Sequence, residues 1–359
     1  MKKLTTSLDD QKSISKLDLS KMGPTIAAIP QQLAQTWQEL NTWKSPTEFS
    51  KFANILTVGM GASGLGADLI NSLFEDEFEI PHIIVNDYHL PEFIDEKSLV
   101  FLVSYSGQTA ETLKAAEKAL EKKAKIIVIT TGGKLAEFAK KNNLSSWIFN
   151  PKFNFCGQPR MGLGYSTLAQ ILILAKLGLI RFSQSDFQRI LAVSLDAGQK
   201  FGIDVKLPKN LAKSVATETF GKMPVIFAAQ SLKANAHIMV NQINENAKMP
   251  AFWFILPEAA HHFLESLKSS MTSENLVLVN LISEFYDDEI KKRFEITKDL
   301  ALENVVKVVD ISLEASSSLE ECFAMLVFSS WISYYLAILD KIDPTPVTTV
   351  DYFKKRLKG

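Results

Sequence analysis

NILTVGMGASGLGAD, residues 54–68, is an apolar run that ends on glycine and leads into a helical pattern over residues 63–74. A short apolar run stopped by glycine is the mark of a strand buried on both faces. Gly59, Gly61 and Gly64 free the backbone for a sharp turn into the next element. These glycines match the dinucleotide fingerprint G-x-G-x-x-G. Asp87 follows Gly64 by about 20 residues, where that fingerprint puts a ribose-binding acid. One glycine-rich turn leaves two ligands open, a dinucleotide or another anion, and the rest of the chain has to decide.

Outward from this turn, strands and helices alternate. HIIVNDY (82–88), LVFLVSYSG (99–107), AKIIVITT (124–131) and SSWIFN (145–150) read as strands. TAETLKAAEKALEKK (109–123) and LAEFAKKN read as helices, and residues 24–43 form a helix ahead of the first strand. Connections this long exclude hairpins and predict a parallel sheet covered on both faces. Residues 164–200 break the alternation with two helices, and the pattern then restarts. Strands are expected at 223–229, PAFWFIL, 274–283 and 305–312, with helices LKANAHIMVNQINENA, PEAAHHFLESL, 287–300 and 318–339 around them, and a last amphipathic helix over 347–358. The expected fold class is α/β, with two lobes, each a mainly parallel sheet flanked by helices. The divisions are an N-terminal arm (1–24), a first lobe (25–180), a helical connection (181–204) and a second lobe (205–359). Ligands in such sheets lie beyond the carboxyl ends of the strands.

The chain has 359 residues, room for two domains at about 150 residues each. Its 39 basic and 40 acidic side chains give a net charge of −1, which excludes a broad electrostatic attraction to nucleic acid or an anionic membrane. Any anion must meet a local site. Cys156 and Cys322 stand alone and far apart, which argues against a disulfide framework and for a reduced, cytoplasmic setting. The lysines of MKKLTTSLDDQKS have no apolar stretch behind them, so no signal peptide is expected. The longest apolar run, LAQILILAKLGLI, is interrupted by Lys176 and falls short of the roughly 20 residues of a membrane helix.

Two loops follow strands at one end of the first lobe. GMGASG places Gly61 and Ser63 at a helix start, and SYSGQTAET (104–112) brings Ser104, Ser106, Thr109 and Thr112 to another. Hydroxyl donors at the positive end of a helix dipole form an anion site. Thr109 and Thr112 could act as helix caps, although the Glu or Gln of a full capping box is absent at 112. Caps account for one or two hydroxyls. Three within six residues, beside a glycine, favour a phosphate monoester over a dinucleotide.

Together the two loops resemble the sugar isomerase (SIS) domain, whose phosphate loop is written S-Y-S-G-N-T-x-E-T; Gln108 stands in place of Asn. FCGQPRMGLGY (155–165), NQINENAKMPAF (241–252), LPEAAHH (256–262) and DPTPVTTVDYFKKRL (343–357) resemble, in order, the P-R-x-x-x-G-Y, N-E-N-x-K, L-P-E-x-x-H and D-P-x-P-V segments of bifunctional phosphoglucose/phosphomannose isomerases. The resemblance covers most of the chain. It implies two SIS-type lobes and an aldose–ketose isomerase that interconverts glucose 6-phosphate or mannose 6-phosphate with fructose 6-phosphate. It implies phosphate contacts from Gly61, Ser63, Ser104, Ser106 and Thr109, with Arg160 near the reacting centre. Glu245 would be the base, His261 the ring-opening group, and Lys354 a second polar catalyst; a register change of one would exchange Lys354 for Lys355. It implies a homodimer with its active site at the interface, the histidine reaching in from the partner.

These residue types suit the reaction. One carboxylate can carry a proton between neighbouring carbons, a histidine or lysine can move a proton onto a ring oxygen, and an arginine stabilises a developing oxyanion. No cofactor and no metal is required, and no cluster of metal ligands stands out. Taken singly, each residue also has a plainer explanation. Glu245 could sit at an exposed helix end, Arg160 in a surface ion pair, and Lys354 on a solvated basic face. On one helix His261 and His262 would point about 100° apart. The chain also departs from the family pattern. Ile238 and Val240 stand where basic residues are usual, and His262 and Phe263 follow the histidine where Asn-Glu is common. These departures keep open an isomerase for another sugar phosphate, such as an amino sugar, and a non-catalytic phosphosugar-binding regulator.

Overall fold

A computed structural model describes residues 8–357 apart from 45, 47, 48 and 50. The N-terminal segment forms α1 (Gln11–Leu17), α2 (Met22–Ala27) and α3 (Ile29–Leu40). The single helix expected over 24–43 is therefore two, parted at Ala28. Pro30 explains the restart: it lacks an N–H and fits the first turn of a new helix.

Next come β1 (Asn54–Val58), α4 (Ala62–Phe74), β2 (His82–Val85), β3 (Ser98–Ser104), α5 (Ala110–Glu121), β4 (Lys125–Thr130), α6 (Gly133–Lys141) and β5 (Ser145–Ile148). The strands form a wholly parallel sheet in the order β2-β1-β3-β4-β5. Every residue of β3, at its centre, is buried, as the continuous apolar run requires. Ala115, Ala116 and Ala119 of α5 pack into the core with Val100 and Leu102, small residues that bring the helix close to the sheet.

Two helices follow, α7 (Leu163–Lys176) and α8 (Gln184–Phe201), and then α9 (Leu211–Thr219). The second alternation runs β6 (Met223–Ala228), α10 (Lys233–Gln242), β7 (Phe252–Ile255), α11 (Ser270–Asn275), β8 (Leu276–Leu281), α12 (Asp288–Glu303) and β9 (Lys307–Ile311). Its sheet is also parallel, in the order β7-β6-β8-β9. The chain closes with α13 (Ser318–Leu339) and α14 (Thr348–Leu357).

The molecule divides into two compact units. One comprises residues 28–195 with 317–322; the other comprises the N-terminal segment through residue 27 with 196–316 and everything from 323 onward. Within the latter, the N-terminal segment is tied down by buried polar contacts. Lys213, fully buried, places Nζ 3.0 Å from Asp9 Oδ1 and 3.0 Å from the Ile203 carbonyl. Asp18 accepts the N–H groups of Met22 and Gly23 and the hydroxyl of Tyr334.

Two further expectations change. LAQILILAKLGLI is not the longest apolar element: α13 has 22 residues and is long and apolar enough to cross a membrane. It is wholly buried within the protein, a core helix whose Ser329, Ser330 and Ser333 are enclosed with it. PEAAHHFLESL, expected as one helix, is two 3₁₀ turns, Glu258–His261 and Phe263–Lys268, separated at His262, whose backbone is not helical. Phe263 drives the break. Its ring is buried against Phe227 and Phe254, with centroids 5.2 and 4.9 Å away. Both cysteines are buried and neither forms a disulfide.

Candidate active site

In the first sheet, chain order reverses between β1 and β3, because β2 lies on one side of β1 and β3 on the other. The crevice beyond the carboxyl ends of these two strands is where such sheets receive ligands. GMGASG leaves β1 and SYSGQT leaves β3 at that place.

Hydrogen bonds join the two loops. Tyr105 donates its N–H to Ser63 Oγ at 3.2 Å, and Asn86 Nδ2 donates to the Gly59 carbonyl at 2.6 Å. Ser104 Oγ lies 2.9 Å from Thr109 Oγ1 and accepts the N–H of Gly107 at 3.1 Å. Ser106 is exposed, and its Oγ accepts the N–H of Gln108 at 3.2 Å. Gly61 has φ +51° and Gly107 φ +61°. A Cβ on Gly107 would stand 1.8 Å from the Gly132 carbonyl, so no other residue fits there without displacing a neighbouring loop.

The capping explanation for the hydroxyls fails on geometry. Thr109 sits at the N-cap of α5 but makes no side-chain cap bond; its hydroxyl turns to Ser104 instead. Thr112 is fully buried with Oγ1 unpartnered, so it offers nothing to a ligand in the loop. Gly61 at the N-cap of α4 has no side chain to cap with. Both helices thus start without a side-chain cap, leaving first-turn N–H groups and positive dipole ends beside the serine hydroxyls. A cleft of about 10 Å³, room for one water-sized group, is lined by Ser63, Tyr105, Phe149, Pro159 and Ser166 among others.

Two features of this site escape a reading of the sequence alone. The first is Tyr105, held by Asn154 Nδ2 at 2.7 Å with its ring edge-on to Phe149. Burial pushes its hydroxyl well above the usual phenol range, so it stays protonated. The second is the β4–α6 loop, which braces the β3–α5 loop from behind. Thr131 donates its N–H and its hydroxyl to the Tyr105 carbonyl, and Leu135 donates its N–H to Gly107. TTGG, ending an apolar strand at 130–133, was the available signal. Asp87, the acid expected of a dinucleotide site, accepts the N–H groups of Tyr88 and His89 in its own turn.

Arg160 lies in a 3₁₀ turn, Pro159–Met161, that packs on α4. It is 2% exposed, a buried and not a surface side chain, and donates Nη1 to Gln158 Oε1 at 2.8 Å. Gly61, Ser63, Ser104, Ser106, Thr109 and Arg160 all belong to the unit that carries the first sheet.

Glu245, His261 and Lys354 belong to the other unit. Glu245 is half-buried in a π-helical turn, Ile243–Ala247, that continues α10. Such turns are rare and cluster at functional sites. Its neighbours fix the turn. Asn246 Nδ2 donates to Ser333 Oγ and Gln242 Nε2 to Ser330 Oγ, each at 2.9 Å, which pins the segment to α13. Lys248, at φ +54°, ends it and donates Nζ to the carbonyls of Asn246, Asp343 and Pro344. Asn244 Oδ1 accepts the Ala251 N–H. Asn244, Asn246 and Lys248 are therefore the frame that presents Glu245, which explains the spacing of N-E-N-x-K. Ile238 and Val240 are buried in the core of this unit.

His261 and His262 are both exposed, and His262 Nε2 lies 3.1 Å from Glu258 Oε2. Lys354 is exposed on α14, a helix that buries none of its residues. Among the described residues no group of three or more His, Cys, Asp or Glu side chains is placed to hold a metal ion.

Two parallel sheets flanked by helices, the first with a serine-rich loop after its central strand, define a class, the SIS-fold proteins. Residues 48–144 match the SIS domain family, and residues 208–357 match the Bacterial phospho-glucose isomerase C-terminal SIS domain. A bifunctional phosphoglucose/phosphomannose isomerase of Caldicellulosiruptor bescii is 32% identical over 338 residues, covering 94% of this chain and 98% of that protein. A protein of the same name from Aquifex aeolicus is 31% identical, covering 87% and 92%. In structure, a hypothetical protein of Thermus thermophilus superposes with a TM-score of 0.72 at 17% identity, covering 98% of this chain and 94% of that one. The chain belongs to the bifunctional phosphoglucose/phosphomannose isomerase family.

Proposed function

We propose that this protein interconverts glucose 6-phosphate or mannose 6-phosphate with fructose 6-phosphate. The observation that carries the proposal is the Ser104–Thr109 hydroxyl pair set against the uncapped start of α5, a phosphate receptor within a chain of this family. Ser63, Ser104, Ser106 and Thr109, with the backbone at Gly61, hold the phosphate. Binding energy from a group remote from the reacting carbons then orients the sugar.

Proton transfer passes through an enediol. His261, with Lys354 as a second polar group, moves a proton onto the ring oxygen and opens the ring. Glu245 removes the proton from C2 of the open-chain aldose and returns it to C1, while a proton moves from the C2 hydroxyl to the C1 oxygen. Arg160 stabilises the oxygen that carries the developing negative charge. The framed, half-buried setting of Glu245 supports its role as base.

The protein acts as a homodimer in the cytoplasm, with His261 of the partner subunit serving each site. Support comes from α14, whose Val350, Phe353 and Leu357 share one face and are 41%, 61% and 62% exposed, a face suited to a second copy.

The deciding experiment is a coupled assay that offers glucose 6-phosphate and mannose 6-phosphate separately and detects fructose 6-phosphate. Turnover of either supports the proposal. No turnover, together with thermal stabilisation by fructose 6-phosphate, would replace it with a phosphosugar-binding regulator.

A further inference from the structure

The cleft beside Ser63 contains a second hydroxyl that the reaction as proposed does not use. Ser166, in the first turn of α7, lines it together with Ser63. A close helix crossing puts it there. A Cβ on Gly66 would stand 2.9 Å from Gln170 Nε2 and 3.1 Å from Thr167 Oγ1, so α4 rests on α7 with no side chain of its own at that point. Ser63 precedes Gly66 by one turn of α4, and Ser166 precedes Gln170 by one turn of α7. The crossing therefore brings both serines to one cleft, each 8% exposed.

A serine inside a helix commonly gives its hydroxyl to the carbonyl four residues back. Ser166 does not. The Gly162 carbonyl accepts the N–H groups of Tyr165 and Ser166, and Ser166 Oγ forms no hydrogen bond among the described residues. The neighbouring Thr167 has its hydroxyl sealed in the core, whereas Ser166 keeps its remaining surface on the cleft. Ser63 Oγ accepts the Tyr105 N–H, so its own proton is left to give. The other walls include Val103, Ile129, Phe149 and Pro159. Two hydroxyl donors among apolar walls, with room for one water-sized group, call for a single acceptor. The start of α7 has no side-chain cap, so its dipole favours an acceptor that carries negative charge.

We propose that Ser166 is a further substrate-binding residue, and that its hydroxyl and that of Ser63 donate to one shared phosphate oxygen seated in this cleft. The inference rests on the phosphate-site reading above and adds a residue to it. An oxygen sunk between α4 and α7 fixes the rotation of the phosphate, and the hydroxyls of the β3–α5 loop remain for the other oxygens.

Calorimetric titration of the full chain with inorganic phosphate and with fructose 6-phosphate tests this. Ser166→Ala is expected to weaken both by roughly 10- to 100-fold. The melting temperature of the free chain should hold, because the hydroxyl removed has no partner there to lose. Thr167→Val is the packing control and should bind both ligands as the unmodified chain does. In Ser63→Ala/Ser166→Ala the loss should depart by at least about twofold from the product of the two single losses, since the two donors serve one oxygen. Unchanged affinity in Ser166→Ala, with Ser104→Ala weakened, overturns this proposal alone and leaves the cleft to solvent. An equal loss in Thr167→Val assigns the effect to helix packing and also overturns it, and strictly multiplicative losses overturn the shared oxygen. If the unmodified chain binds neither ligand, the phosphate reading falls and this proposal with it.

Discussion

Ser104 Oγ and Thr109 Oγ1 lie 2.9 Å apart, and the N–H of Gly107 points to the same serine oxygen. A residue at a helix N-cap has spent its hydroxyl on a strand-end serine and left the helix uncapped. Replacing Ser104 by Ala removes the centre of this arrangement. A hydrogen bond to a charged group contributes about 1.5–3 kcal/mol, so affinity for fructose 6-phosphate should fall by roughly 10- to 100-fold. Calorimetric titration of the variant measures it, and unchanged affinity would remove the loop from the phosphate site.

Glu245→Gln keeps the shape of the side chain and removes its basicity. Turnover should fall by at least about 10²–10⁴-fold, the usual contribution of a positioned acid–base group, while phosphosugar binding persists. An active variant would refute the assignment of the base. Asn246→Ala should act more gently, since it unpins the turn from Ser333 without touching the carboxylate.

Gly107→Ala tests the packing of the β3–α5 loop against the β4–α6 loop. The new methyl would meet the Gly132 carbonyl, and the backbone is already in the left-handed region. Strain of about 1–3 kcal/mol is expected, with a matching loss of melting temperature. Protection of the Leu135 amide, which donates to Gly107, should fall with it in hydrogen exchange.

His82 supplies a pH dependence unrelated to catalysis. Burial holds its pKa down at about 4, against an ordinary 6.5, and Thr57 Oγ1 lies 2.9 Å from Nε2. The unfolded chain therefore takes up the proton first as pH falls. This contribution to stability is complete above pH 6.5 and is lost between 6.5 and 4, up to about 3 kcal/mol. His82→Phe should flatten the denaturation midpoint across that window. An unchanged slope would assign the dependence to other groups.

Lys213 is buried with its charge met by Asp9 and the Ile203 carbonyl. Asp9 itself is 31% exposed, so its removal leaves Lys213 to the Ile203 carbonyl and to water that enters at the Asp9 side, and costs about 1–3 kcal/mol. Asp9→Ala should thus destabilise more than an exposed substitution, and Asp9→Ala combined with Lys213→Met should recover much of the loss. Chemical denaturation of the three variants gives the coupling directly.

Sequence alone determined the alternation of strands and helices and the two parallel sheets, because short apolar runs stopped by glycine allow little else. It also placed Ser63 and Thr109 at helix starts and Ser104 and Ser106 in the strand end and loop before one, since strand ends and serine spacing are local properties. Helix continuity was not local in the same way. PEAAHHFLESL has helical spacing, yet burial of Phe263 against Phe227 and Phe254 divides it, and only the folded aromatic cluster could show that. The apolar length of α13 does not by itself tell a core helix from a membrane span; burial inside the protein does. Asn244, Asn246 and Lys248 were legible as a motif but not as a frame, because their partners Ala251, Ser333, Asp343 and Pro344 are reached only after folding. Tertiary structure also decided that Thr109 bonds Ser104 instead of capping α5 and that Thr112 is buried. A hydroxyl chooses among partners by distance and direction, and those exist only once the chain has brought the partners together.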